Sequence, residues 1–260
     1  MSNENSRTEL RELVAGFRQF AESERYRGVL EEPAEHKKPK TEPSPVVSSD
    51  RNHGRNWAAV ASESREEMPT TLGQARQRLG DCQQCGLCQS RRHLVYGVGR
   101  SDADLMIIGE APGYHEDQRG EPFVGPAGEM LDKMLVHVLG LTRNDVYITN
   151  VVKCRPPKNR NPLPDEVDAC RSVLETQCTI IQPKLILILG TVALKTVLGT
   201  EQGIMRNRGN WKEWRGIPVM PTFHPAYLLR NGAEKRKTFE DLKALRARYE
   251  SVSGFRPDPG

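Results

Sequence analysis

Residues 105–116 read LMIIGEAPGYHE, four apolar residues running straight into a Gly-Pro-Gly turn and two acids. A continuous apolar run of that length, bounded by glycine, reads as a strand buried on both faces. The turn sets backbone N–H groups, with Glu110 and Glu116, at the strand's carboxyl end. Three further runs repeat the pattern: Val146-Tyr147-Ile148, Leu185-Ile186-Leu187-Ile188-Leu189 and Ile217-Pro218-Val219-Met220. Helical apolar spacing lies between and after them, at about 127–139 (Met130, Leu131, Met134, Leu135, Val138), 165–181, 191–198 and 238–250. Buried strands alternating with helices predict an α/β fold whose parallel sheet is covered on both faces. In such sheets ligands bind outside the carboxyl ends of the strands.

That rule singles out the residues after each run. Asn150 follows the second, and the fourth leads into FHPAYLLRN at 223–231, which carries His224, Tyr227, Leu228 and Arg230. Taken one at a time, an Asn, a His or an acid at a strand end is an ordinary hydrogen-bonded residue, and a Gly-Pro-Gly turn with solvated acids is an ordinary turn. Together they are harder to dismiss. An amide that donates and accepts (Asn150), an imidazole (His224), carboxylates and the Phe123 ring all come from loops on one edge of one sheet.

The cysteines form a second constellation. Cys82-x2-Cys85 precedes the sheet, while Cys154 and Cys170 bracket the basic, Pro-rich stretch KCRPPKNRNPLPDEVDAC. Two pairs of thiolates suit either Zn²⁺ or an iron-sulfur cluster, and spacing alone does not choose. Cys88 extends the first pair and competes as a ligand, and Cys178, eight residues after Cys170 on the same expected helix, reads as core. Nothing in the sequence resembles an export signal or a membrane span, so a cytoplasmic protein with reduced thiols is expected, and a disulfide framework is not.

Apolar residues make up 37% of the chain, low for one folded throughout. Residues 1–70 carry 11 basic and 13 acidic side chains, leaving 27 and 21 for the rest, a net of +6 there against +4 overall. That excess favours an acidic partner such as nucleic acid without requiring one. Leu10, Leu13, Val14, Phe17 and Phe20 predict an amphipathic helix within residues 1–30, which either docks on its own domain or offers its stripe to a protein partner. Residues 31–69, rich in Pro, Glu, Lys and Ser, read as a disordered linker, with the folded domain over 70–250 and a flexible tail at 251–260. A monomer without membrane contact is expected.

From about Cys82 to Asn231 the chain resembles the family-four uracil-DNA glycosylases, the iron-sulfur branch of their superfamily. The resemblance rests on GEAPG, EPFVGPAG, VYITNVVKCRPPKNRNPLPDE, ILILG and FHPAYLLRN, in that order. It implies a three-layer α/β/α fold with a central four-stranded parallel sheet, and a [4Fe-4S] cluster on Cys82, Cys85, Cys154 and Cys170 with Cys88 left over. It also implies uracil-containing DNA as substrate and a place at the start of base excision repair.

The resemblance further implies roles. A flipped uracil would stack on Phe123, read by the Asn150 amide, with Ala111 and Gly113 against it. His224 would donate to the uracil O2, and Glu110, or Glu116 in its place, would face the sugar cation and activate water. Gly113 stands where another branch has a methyl-blocking Tyr, so thymine exclusion falls to another side chain such as Glu116. Leu228, beside Tyr227 and Arg230, takes the intercalating position, while Arg155, Lys158 and Arg160 are expected to meet DNA phosphates. Asn207 stands where a related branch carries a covalently trapping His, so turnover is expected. Three alternatives remain: a glycosylase for another deaminated base, a catalytically silent DNA-binding relative, and an unrelated zinc protein.

Overall fold

The computed structural model describes residues 68–254. The expected N-terminal helix and the linker lie outside the described residues, apart from Met68 and Pro69, as does the tail beyond Gly254. Strands β1 (Val98–Gly99), β2 (Leu105–Gly109), β3 (Tyr147–Asn150), β4 (Leu185–Leu189), β5 (Lys212–Trp214) and β6 (Ile217–Thr222) form one sheet in the order β1-β3-β2-β4-β6-β5. The four central strands are parallel, and every residue of β2, β3 and β4 is buried, which is why their sequences are apolar without alternation. The expected four strands are thus the middle of a six-stranded sheet. Its edges are short antiparallel strands of two and three residues, closing on Ile148 and Tyr147 at one side and on Val219 to Ile217 at the other.

Helix α1 (Leu72–Leu79) precedes the strands, and α2 (Tyr114–Arg119), α3 (Pro126–Met134), α4 (Pro164–Ile181), α5 (Thr191–Leu198), α6 (Ile204–Asn207), α7 (Pro225–Arg230) and α8 (Lys235–Ser253) connect or follow them. The apolar pattern at 127–139 runs through α3 into a π-helical turn, Leu135–Leu139, stopped by Gly140 in the left-handed conformation. Helix α1 starts on a capping box, Thr71 accepting from the Gln74 N–H while the Gln74 side chain accepts from the Thr71 N–H.

Cross-strand register assigns the layers. Asn150, Gly109 and their row continue through Leu189 and Thr222 on one face, and Thr149, Ile108, Ile188 and Pro221 share the other. On the first face Thr222 donates to Asp241 of α8 at 2.6 Å; on the second, Thr149 meets Gln177 of α4. Helices therefore cover both faces of the sheet, a three-layer α/β/α arrangement. Among the described residues no helix is long and apolar enough to cross a membrane.

Candidate active site

An open cleft of about 400 Å³ lies at the carboxyl ends of the parallel strands. Glu110 enters it from the end of β2, Asn150 from β3 and His224 from β6, with Phe123 on the loop before α3. Beyond the strand ends the backbone stays tied, Val151 N–H donating to Gly109 O at 2.9 Å and Val152 N–H to Glu110 O at 3.2 Å. Ala111, Gly113, Glu116, Tyr227 and Arg230 also line the cleft. The loops that the sequence placed on one edge of the sheet do meet there.

Each side chain has a defined state. Asn150 is 2% exposed and its Oδ1 is a buried acceptor with no protein partner. Such an atom costs about 1–3 kcal/mol unless something donates to it, which makes it an expectation of a ligand N–H. Gly109 makes room for it: a Cβ there would stand 2.4 Å from Asn150 Oδ1 and 2.5 Å from Phe123 Cζ. His224 caps α7, its Nδ1 accepting from Ala226 N–H at 3.2 Å, so the proton of the neutral ring sits on Nε2. Desolvation pushes its pKa down to about 4, Arg230 adding to the effect, and the ring is therefore a neutral donor at ordinary pH. Phe123 lies beside it, the ring centroids 5.6 Å apart. Desolvation raises the Glu110 carboxyl above its usual 4.5.

Phe123 holds φ +53°, a left-handed backbone that costs a non-glycine residue about 1–3 kcal/mol. Arg143 stabilises it, donating to Phe123 O at 2.9 Å and Pro122 O at 2.6 Å while pairing with Asp132 at 3.0 Å. Gly128 lets α3 approach, since a Cβ there would lie 1.8 Å from Phe123 O. Arg143 carries no local sequence signal, because its partners lie 20 and 21 residues upstream. Arg143→Ala is expected to lower stability by about 1–3 kcal/mol and to slow excision about tenfold, through loss of charge-assisted hydrogen bonds. Thermal unfolding and single-turnover rates measure the two effects.

Two sequence expectations need correction. Leu228 is 1% exposed and packs inward from α7, so it presents no wedge; Ala226, Tyr227, Leu229 and Arg230 are the residues of that helix with surface access. Glu116 spends both oxygens on backbone: Oε2 accepts from Gly113 N–H at 3.1 Å, and Oε1 from Val124 and Gly125 N–H at 2.9 and 3.0 Å. A carboxylate so engaged holds the two loops together behind Gly113 and is poorly placed to take a proton from water. Arg160 also lines the cleft and makes two bonds to Glu166, at 2.8 and 2.6 Å, which hold the Glu166 carboxyl below its usual range. Asn207 is 4% exposed and donates to Gly203 O at 3.0 Å, within its own turn and outside the cleft lining. Of the other basic residues expected on DNA, Lys158 is exposed in a left-handed conformation, and Arg155 lies 5.2 Å over the Tyr114 ring.

A second, narrow pocket is lined by Cys82, Cys85, Cys154 and Cys170, with Arg91 and Lys153. Cys88 and Cys178 are not in its lining, and Cys178 is 4% exposed in the core. Among the described residues no group of three or more His, Cys, Asp or Glu side chains is gathered to hold a metal ion; the four thiols share the lining of one pocket. Burial raises the thiols of Cys85, Cys170 and Cys154, the last to about 11, so they need a nearby cation to ionise. Arg91 supplies one, donating to Cys154 Sγ at 3.1 Å.

Fold and site together define a class. The chain belongs to the uracil DNA glycosylase superfamily, whose family model matches residues 96–243. Within it the chain is similar to type-4 uracil-DNA glycosylases: 42% identical over 188 residues to that of Thermotoga maritima, covering 71% of this chain and 96% of the relative, and 41% over 184 residues to that of Sulfurisphaera tokodaii, covering 68% and 84%. A type-5 uracil-DNA glycosylase of Pyrobaculum aerophilum is 32% identical over 173 residues, 60% of this chain and 75% of the relative.

Proposed function

We propose that this protein is a uracil-DNA glycosylase that hydrolyses the N-glycosidic bond of uracil in DNA, leaving an abasic site and so opening base excision repair. The observation that carries the reading is the unpaired, buried Asn150 Oδ1, which lines the cleft and flanks Gly109 together with the Phe123 ring. Uracil presents an N3–H to such an acceptor and its O4 to the Nδ2 donor. Cytosine presents the reverse pattern, which leaves buried groups unpaired at about 1–3 kcal/mol each. A base reaches the cleft by flipping out of the stack, at a few kcal/mol.

As the C1′–N1 bond lengthens, negative charge moves onto the ring and positive charge onto the sugar. The Nε2–H of His224 is the donor for the uracil O2, preorganised by the Ala226 contact. Glu110, desolvated and free of the backbone bonds that occupy Glu116, faces the cation and accepts the water proton. Tyr227, Arg230, Arg155 and Lys158 supply the DNA-facing rim. Incubation with matched oligonucleotides carrying uracil, hypoxanthine, thymine or cytosine tests the reading: abasic sites form at uracil, and strong preference for another base overturns it.

Cys82, Cys85, Cys154 and Cys170 hold a [4Fe-4S] cluster in this proposal, its chemistry being covalent ties between the segment before β1, the loop after β3 and helix α4. Support comes from the donor set itself, four thiols around one cleft beside two cations. The anaerobically purified protein should absorb broadly near roughly 400 nm. Cys88→Ser is expected to keep its iron and Cys82→Ser to lose it; the reverse result reassigns the ligands. We further propose that the protein acts as a monomer and that its N-terminal segment either docks on its own domain or meets a protein partner.

A further inference from the structure

Lys153 is 1% exposed, yet it neither lines the active-site cleft nor provides a thiol. Its ammonium donates to Asn150 O at 2.6 Å, Thr149 Oγ1 at 2.7 Å and Gln177 Oε1 at 2.8 Å. All three protons are used, and all three acceptors are neutral. The side chain also lines the cysteine cleft, next in sequence to Cys154. Gln177 lies on α4, the helix that bears Cys170, and fixes the sheet by donating to Tyr96 O at 2.7 Å and Tyr147 Oη at 3.0 Å. A cation buried among neutral acceptors needs compensating negative charge. Metal-bound thiolates in the cysteine cleft beside it would be that charge.

We propose that Lys153 is a positioning residue joining the cysteine site to base recognition: held by the thiolate charge, it clamps the Asn150 carbonyl and so fixes the amide that reads uracil. The joining rests on the cysteine site being occupied by an anionic iron-thiolate group, whereas the clamp stands on the three hydrogen bonds. Since energetic coupling between two sites is reciprocal, a ligand on Asn150 must also be felt at the cysteines.

The test uses the full-length purified protein, with free uracil as a probe that engages the base site without DNA. In the parent, saturating uracil is expected to perturb the visible circular dichroism of the iron-thiolate chromophore. In Lys153→Met, which keeps bulk but removes the donors, iron content is retained, this response disappears, and inhibition by free uracil weakens by about tenfold or more. Affinity for an abasic oligonucleotide stays unchanged. Unaltered uracil inhibition in an iron-replete Lys153→Met protein overturns the clamp, and a persisting dichroism response overturns the joining. If Lys153→Met loses iron or fails to fold, Thr149→Val decides, because it deletes one ammonium acceptor isosterically: weaker uracil inhibition supports the clamp and unchanged inhibition refutes it. A parent protein purified anaerobically without iron sinks the cluster assignment by itself, and Lys153→Met inhibition then tests the clamp alone.

Discussion

Replacing Glu110 by Gln lowers the single-turnover rate of uracil excision by about 10²–10⁴-fold, the usual worth of a positioned acid or base, while DNA affinity barely changes. The substitution is nearly isosteric, so it removes the charge and leaves the cleft shape. Its pH behaviour follows from the two titrating groups. Glu110 acts as the anion, and desolvation raises its pKa above 4.5, so the parent rate falls on the acid side beginning above the ordinary carboxylate range. His224, pushed down to about 4, is still neutral there. In the Gln variant the residual rate holds to lower pH. It drops only when His224 takes a second proton on Nδ1, the atom that accepts from Ala226 N–H. A variant that cleaves at the parental rate under saturating enzyme would remove Glu110 from catalysis.

Gly109→Ala is the second large effect, and it separates function from folding. The new methyl falls 2.4 Å from Asn150 Oδ1 and 2.5 Å from Phe123 Cζ, both the free ends of side chains and neither of them backbone. Side chains give way more cheaply than a strand, so overpacking should cost about 1–3 kcal/mol of stability. The groups that give way are the two that hold the base. Excision is expected to fall by at least about 10²-fold, consistent with misplacement of substrate by an ångström. Gly203→Ala, where a Cβ meets nothing within 4 Å, serves as the control and should retain both stability and rate. Full activity in a folded Gly109→Ala protein would show that Asn150 and Phe123 do not define the base site as drawn.

The central strands were legible because burial on both faces leaves no polar alternation to disguise them; Ile107, Ile148 and Leu187 are all completely buried. The edge strands were not, since β1 has two residues and β5 is Lys-Glu-Trp, too short and polar for periodicity to register. Leu228 was misread as part of a loop. A histidine followed by proline is a helix start, and three positions after Pro225 its apolar side chain turns inward with it. Glu116 carried a legible warning as well, standing three residues after the Gly113 N-cap where a carboxylate folds back on the backbone. Arg143 and Lys153 had no such signal. Arg143 acts on Phe123, 20 residues away, and Lys153, besides its near neighbours Thr149 and Asn150, needs Gln177, 24 residues away; these meet only in the folded chain.

The tip of β3 has one further consequence, for how this molecule can change. Thr149 and Asn150 are consecutive, and the pleat sends them to opposite faces, one toward α4 and the other toward the cleft. A one-residue insertion or deletion within the strand would exchange them, turning a hydroxyl into the base site and an amide into the Lys153 network. The five positions from Thr149 to Lys153 therefore behave as a unit of inheritance: substitutions there can be tried singly, but length cannot drift. A designer wishing to retune the base pocket must accept the spacing to Lys153 as given, and alter Asn150 or its neighbours on the cleft side alone.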